Sequence, residues 1–441
     1  MLKEICEERA PGEPVEQVHK DTAAALQEAL ETIVFHILEF HQRKTGSRRL
    51  CLAGGVAHNC AANGKILRER LFDEAFVQPA SHDGGLSLGA ALHGYCFNGS
   101  DARPKRYAMR HAYLGPCCQV AEIERELSLW QEYIDFKKSD RLADAVAEMM
   151  AEGTIVGWVQ GRSEFGPRAL GNRSIIADPR PAENKDIINA MIKKREAFRP
   201  FAPSVLEEEA EEYFELPPHQ KQFPYMVFVV KVREQYRALL GAITHVDGTA
   251  RIHTVDQHSN PKYWELIDAF RRKTGIPIVL NTSFNNNAEP IVNTARDALV
   301  CYLTTDLDVL VIGDYIVRKK GTDQRVFSGL RLSLPRYVRI HQKELREAPA
   351  RKPKAEDTPY FRQLFDRLYA PGDDLDHCLG NTHDRRETEI SPDMASLVAQ
   401  ADGYRTLGAL LKPFQGSQQE CLLNEALELW RRRMVRLLPD E

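Results

Sequence analysis

Gly161-Arg162-Ser163-Glu164-Phe165-Gly166-Pro167-Arg168-Ala169-Leu170-Gly171-Asn172-Arg173-Ser174 is the stretch from which the chain is read. It follows Thr154 to Val159, whose apolar, β-branched content predicts a buried strand. The stretch therefore sits at a strand end, where α/β proteins commonly hold ligands. Its three arginines and three glycines combine rigid bidentate donors with backbone that a guest can approach closely. A phosphate or carboxylate is the implied guest.

Working outward toward the carboxy terminus, Ala143 to Met150 and Ala182 to Lys193 read as helices and Tyr225 to Val232 as a strand. A helix over Tyr263 to Lys273 and a strand over Ile276 to Leu280 follow. Thr294 and Asp297 have capping-box spacing at the start of another helix, and strands Val309–Ile312 and 315–317 flank Gly313-Asp314. Toward the amino terminus, Leu26, Leu30, Ile33 and Ile37 recur at helical spacing within an amphipathic helix over residues 19–44. A strand from Arg49 to Ala53 enters Gly54-Gly55, a helix covers Ala57 to Arg70, and a strand covers Ala75 to Val77. Asp83-Gly84-Gly85 then opens a small-residue helix running through Leu92, and Asn98 to Pro104 reads as a linker. Alternation of this kind predicts mixed α/β architecture. Beyond Lys320, Lys343 to Asp357 and Pro371 to Thr388 read as loops. Ser417 and Glu420 have capping-box spacing ahead of Leu423, Ala426, Leu427, Trp430 and Met434, a terminal amphipathic helix that docks on its own core or meets a partner.

With 441 residues, 43% hydrophobic and 28% charged, the chain has the composition of a globular protein of two or three domains and no apolar run that would span a bilayer. A formal net charge of −4, from 59 basic and 63 acidic residues, gives no bulk electrostatic case for nucleic acid. Nine cysteines without a CxxC pair and a charged first ten residues point to a reducing cytoplasm. Cys117-Cys118 reads as ordinary thiols or as a vicinal redox pair.

Three further polar clusters accompany the opening stretch. Lys193-Lys194-Arg195-Glu196-Ala197-Phe198-Arg199 is a solvated helix end or part of a site. His245 to Val255 contains Asp247-Gly248-Thr249-Ala250-Arg251, and Asn281-Thr282-Ser283-Phe284-Asn285 ends a strand as a structural turn or a binding edge. Four such clusters at element ends predict one shared pocket. In this order the four runs, within residues 111–318, resemble the carboxy-terminal domain of the ATP-dependent carbamoyltransferases of antibiotic and nodulation-factor biosynthesis. The resemblance implies a YrdC-like fold that turns carbamoyl phosphate and ATP into a carbamoyl-adenylate. It implies that Arg168, Lys193, Arg199 and Arg251 hold the phosphate and carbamoyl groups, with Asn281, Thr282 and Asn285 at the adenylate. Fixed guanidinium groups suit that chemistry because they neutralise the repulsion between two polyanions while orienting them. Mg²⁺ is expected with ATP.

Residues 19–97 resemble the second half of the family's other domain, a sugar-kinase-like (Kae1-like) ATPase unit, through His19-Lys20-Asp21, Cys51 to Lys65 and Ser81 to Leu88. The resemblance implies nucleotide contacts by Gly54, Gly55, Val56 and Asn59, and places Asp83 as a metal ligand, with a transition metal as the candidate ion; without the resemblance Asp83 reads as a helix cap. The expected division is residues 1–104, a partial Kae1-like unit; 105–320, a YrdC-like α/β domain; and 321–441, a mostly helical or irregular extension. The family's long amino-terminal section with a His-x-x-x-His pair has no counterpart among the fourteen histidines here. The expectation is a truncated or mis-started product, or half of a split enzyme whose partner polypeptide supplies the rest. His58 stands where the family usually has an apolar residue, His253 where it has Gln, and Asn286-Asn287-Ala288 where it has an apolar-Lys-Gly stretch. The leading function is carbamoyl transfer to a hydroxyl-bearing small-molecule acceptor, a secondary metabolite or glycan. The alternatives are a noncatalytic nucleotide-binding subunit and, last, a tRNA-binding protein, which lacks the required basic stripe with interleaved aromatics.

Overall fold

The computed structural model describes residues 6–7, 9, 13–97, 108–190, 199–321, 323–344, 375–382 and 386–440. The Asn98 to Pro104 linker, Lys193 and most of Lys343 to Asp357 lie outside these. Among the described residues no helix is long and apolar enough to cross a membrane.

The strands are β1 (Arg49–Leu52), β2 (Glu74–Val77), β3 (Ile134–Lys138), β4 (Val156–Val159), β5 (Arg173–Ala177) and β6 (Ala202–Leu206). They continue as β7 (Phe214–Glu215), β8 (Phe228–Val232), β9 (Thr249–Val255), β10 (Ile278–Ser283), β11 (Val309–Ile312) and β12 (Tyr315–Lys319). The extension adds β13 (Arg331–Ser333), β14 (Val338–Glu344), β15 (Leu375–Asn381), β16 (Glu387–Ile390), β17 (Asp402–Thr406) and β18 (Arg436–Leu438). The architecture is mixed α/β, as the alternation predicted.

Compactness cuts the chain differently from the linear division by sequence. One unit gathers Met1–Cys117, Ser139–Ala190 and Arg195–Phe284; the other gathers Cys118–Lys138, Met191–Lys194 and Asn285–Glu441. In the first unit the strands run in the order β4-β5-β10-β6-β9-β8-β7. Neighbouring strands in this order are antiparallel except β6 and β9, which pair in parallel with Ser204 opposite His253. β5 and β6 are buried along their whole length, as both faces of a covered sheet require. The helix Pro261–Thr274 joins β9 to β10 and carries its punctuation in sequence: Asn260 caps Tyr263 N–H, Pro261 occupies the first turn, and Gly275 closes the helix at φ 79°.

β1 and β2 form a separate parallel pair, and the helix Cys60–Arg68 that follows β1 packs against β8 in the same unit. Contact is intimate because Gly64 has no side chain: a Cβ there would lie 2.0 Å from the Val229 carbonyl oxygen. Beside it the buried Asn63 amide donates to the carbonyls of Ala57 and Val227, at 2.8 and 2.9 Å.

In the second unit β11 and β12 form a hairpin continued by β3. Its core stacks Trp130 on Trp430 with ring centroids 6.4 Å apart, and Phe327 contacts Trp430 and Tyr133. The capping box at Thr294 and Asp297 forms as spaced.

Several details differ from expectation. The helix Gln17–Thr45 exists, but it buries Phe35 and Leu38 and leaves Leu26, Ile33 and Ile37 at least half exposed. Periodicity found the helix, and the shape of its neighbours chose the face. Among the described residues of the extension six strands accompany its helices, and β15 lies inside the stretch Pro371 to Thr388 read as a loop. Its polar residues concealed it because pairing with β14 and β16 supplies order that local composition does not. The terminal helix Gly416–Arg431 buries Leu423, Ala426, Leu427 and Trp430 but begins after Gln415 without a side-chain cap, so Ser417 is not its cap.

Gly64→Ala should destabilise the first unit by about 2 kcal/mol through overpacking against β8. Gly89→Ala, in the helix Leu86–Phe97 where nothing lies within 4 Å of the added carbon, should be neutral or stabilising by up to about 1 kcal/mol. Denaturant melts of both variants check this, and equal effects would contradict the described packing.

Candidate anion and nucleotide site

The stretch from Gly161 to Ser174 is organised around an internal anion. One carboxylate oxygen of Glu164 accepts the backbone N–H groups of Leu170, Asn172 and Arg173 at 2.6, 2.9 and 3.3 Å. The carboxylate is enclosed, its other oxygen has no protein partner, and burial pushes the pKa up despite those donors. Backbone donors expected to face a ligand are therefore occupied from within. Arg173 is likewise structural: wholly buried, it donates to the carbonyls of Gln160, Asn172 and Gly161 at 2.7, 2.9 and 3.3 Å. Arg162 donates to Leu114 O at 2.9 Å. Gly171, at φ 98°, lets the Tyr263 ring close in, since a Cβ would stand 2.2 Å from that ring.

The third arginine of the stretch, Arg168, is placed differently. Its Nε is buried without a hydrogen-bond partner, and its Nη2 lies 3.8 Å from Cys60 Sγ. Beside it, both ring nitrogens of His58 lack partners, and the ring sits 5.3 Å from that of His82. Burial first, then the charges of Arg168 and His82, pushes the His58 pKa below its ordinary value.

Asn281, wholly buried on β10, donates to Ala169 O at 3.1 Å and to Ser204 Oγ at 2.9 Å, while its own Oδ1 has no partner. Ser204 Oγ lies 2.8 Å from Nδ1 of His253. Burial holds His253 down to a pKa of about 3, so it is a neutral hydrogen-bonding group, as a glutamine in its place would be. Arg251 on β9 lies near His245, whose pKa burial lowers first and Arg251 lowers further, against Asp247. Thr249 donates its hydroxyl to Asp247 at 2.6 Å, so it accepts from His245 Nδ1 at 3.1 Å, which leaves Nε2 of His245 as a buried lone pair.

The remaining expected residues are distributed more widely. Thr282 is half-buried on β10 opposite Ile175, and Arg199 is exposed, its carbonyl accepting from Asn189. Asn285 belongs to the second unit, where its amide donates to Glu289 O at 2.8 Å. Gly54 and Asp83 line one cavity of about 1010 Å³ with Phe76, Leu86, Leu88 and Leu92. Val56 is 57% exposed, and nothing approaches a Cβ built on Gly55. The Asn59 amide caps Ala62 N–H at 3.0 Å and pairs with Gln27. Among the described residues no group of three or more His, Cys, Asp or Glu side chains is arranged for a metal, so a metal on Asp83 would need ligands from elsewhere. A second cavity of about 1030 Å³, which sequence reading missed, is lined by Tyr113, Glu207, His253, Asp256 and Asn260. Glu164 and Ser204 were missed too: each is one ordinary polar residue in sequence, and only chain reversal shows what its oxygen meets.

Fold and side chains together define a mixed α/β protein with an arginine- and amide-rich centre in its first unit. The family description Carbamoyltransferase C-terminus matches residues 147–319, and Carbamoyltransferase N-terminus matches residues 4–92. Nodulation protein NolNO of Sinorhizobium fredii is 50% identical over 443 residues, covering 100% of this chain and 62% of its own length. Nodulation protein NolO of Bradyrhizobium diazoefficiens is 48% identical, covering 98% of this chain and 75% of its own. A 3'-hydroxymethylcephem-O-carbamoyltransferase of Amycolatopsis lactamdurans is 34% identical over 60% of this chain and 48% of its own length. A crystal structure of full-length HypF aligns over 68% of this chain and 34% of its own at 12% identity with a TM-score of 0.28, which carries no argument. The chain belongs to the carbamoyltransferase family, and it spans less than two thirds of the length of NolNO.

Glu164→Ala should orphan three buried N–H groups and cost about 3 kcal/mol, whereas Glu164→Gln keeps an acceptor and should cost less. Because the folded-state pKa of Glu164 is raised, its contribution is present below the ordinary glutamate pKa and is lost as pH rises through the raised value. Denaturation across pH should show that loss in the parent protein and a flatter profile in Glu164→Gln.

Proposed function

We propose that the chain serves ATP-dependent O-carbamoyl transfer: carbamoyl phosphate and ATP yield a carbamoyl-adenylate, and the carbamoyl group passes to a hydroxyl of a small-molecule acceptor, a secondary metabolite or glycan. Atom balance requires water to free the carbamate from its phosphate before its oxygen meets the α-phosphorus and pyrophosphate leaves. The observation that carries the reading is Arg168, an arginine within the family-matched residues whose Nε is buried without a partner, while Arg173 is wholly buried on backbone carbonyls and the exposed Arg162 donates to Leu114 O. Arg168 would bind the phosphate or carbamoyl oxygens, with Arg251, Arg199 and Lys193 as the further cations. Asn281, with an unpartnered buried Oδ1, fits a donor on the nucleotide, as Thr282 and Asn285 would. Gly54, Gly55, Val56 and Asn59 are the proposed nucleotide contacts of the amino-terminal segment. Mg²⁺ would accompany ATP and screen its phosphates. Nine scattered cysteines without a CxxC pair support the reading of a reducing cytoplasm.

A second reading, a subunit that works only with another polypeptide, is favoured by one observation. The helices Gln17–Thr45 and Leu86–Phe97 expose Leu26, Ile33, Ile37, Phe40, Leu86 and Phe97, a surface that a further polypeptide would cover.

Incubation with labelled carbamoyl phosphate, ATP and Mg²⁺ should give carbamoyl-adenylate and pyrophosphate. Arg168→Ala should slow their formation about 100-fold, or about 3 kcal/mol, with the melt unchanged. Folded protein that forms no adenylate sinks the first reading; adenylate formed only after a second polypeptide is added establishes the subunit reading.

A further inference from the structure

We propose that the carboxy-terminal extension sets the conformation of the loop 285–289, and that Arg433 is the positioning residue through which it acts on Asn285. The proposal rests on the reading of Asn285 as a nucleotide contact and adds what holds that residue in place.

Three contacts within the second unit tie the extension to the loop. Arg433 reaches Glu289 in a two-pronged ion pair, Nη2 to Oε1 at 2.7 Å and Nε to Oε2 at 2.8 Å, with side-chain exposures of 10% and 14%. Asn286 Nδ2 donates to Arg431 O at 3.2 Å, and Arg386 Nη2 donates to Ala288 O at 3.1 Å. Within the loop, Asn285 Nδ2 donates to Glu289 O at 2.8 Å, and Asn286 Oδ1 accepts Ala288 N–H at 2.8 Å. The residue gripped by Arg433 is thus the residue whose carbonyl orients Asn285.

Arg433 is itself fixed from every side. Its Nη1 donates to Thr304 Oγ1 at 3.1 Å and to Trp430 O at 2.9 Å. Its backbone is left-handed at φ 62°, a conformation costly for a residue with a Cβ, where a glycine would ordinarily end a helix. A planar guanidinium with four donors engaged on three partners cannot shift without breaking several bonds, and a lysine cannot reproduce the fork. The departure of Asn286-Asn287-Ala288 from the family pattern acquires a physical meaning here. Asn286 and Ala288 are residues that engage the extension, so the loop is held from outside by Arg386, Arg431 and Arg433.

The test uses the full chain with ATP as probe. Arg433→Met and Asn285→Ala should each weaken ATP binding about tenfold, equivalent to about 1.4 kcal/mol. The double variant should be no weaker than either single one, because both act at one point. Arg433→Met should also speed amide exchange across 285–289 while the melt stays two-state, and Arg433→Lys should recover part of the affinity. The KM for carbamoyl phosphate should not move. A folded Arg433→Met protein with parental ATP affinity and parental exchange in the loop overturns the proposal, and so does additivity in the double variant. If Asn285→Ala leaves ATP affinity unchanged while Arg433→Met still loosens the loop, the nucleotide reading of Asn285 is overturned, whereas the hold of Arg433 on the loop is upheld.

Discussion

A carboxylate buried beneath its own loop is the constraint on which the first unit depends. Glu164 gathers three backbone N–H groups from Leu170 to Arg173, so the chain must reverse around it. The reversal sets Arg173 at the head of β5 and places Ala169 O where Asn281 reaches it. It also leaves Arg168 outside the fold of the loop, facing Cys60. Enclosing an ionised carboxylate is unfavourable, and three backbone amides with the nearby Arg173 charge offset only part of that penalty, so burial still raises the Glu164 pKa. The backbone donors of the loop are in this sense taken by its own carboxyl group.

The amino-terminal segment takes part in that arrangement. Gly64 and Asn63 lock its helix against β8, which brings Cys60, His58 and His82 to the guanidinium of Arg168. Histidines recur around this centre, and burial lowers the pKa of His58, His245 and His253, the last to about 3. A lowered pKa favours the neutral imidazole, which adds no positive charge near the arginines.

The second unit applies a similar device in the extension. An arginine in a left-handed backbone conformation reaches a glutamate of an otherwise polar loop, and each partner satisfies a charge that would be costly to enclose alone. Its aromatic core of Trp130, Trp430 and Phe327 draws on residues three hundred positions apart in sequence, so the extension belongs to the body of that unit.

Element type was written locally. The alternation of helix and strand, the cap at Thr294, the Asn260 to Gly275 punctuation and the four polar clusters that resemble the carbamoyltransferase family were all present in sequence, because propensity, caps and motif spacing are short-range properties. Which face of the helix Gln17–Thr45 is buried, that Pro371 to Thr388 contains a strand, and that Arg173 is held by backbone carbonyls whereas Arg168 lies against Cys60 depended on long-range partners. The same holds for Glu164, Ser204 and Arg433. A buried polar atom acquires its role from the donor or acceptor that tertiary folding brings opposite it, and no window of sequence contains both halves of that pair.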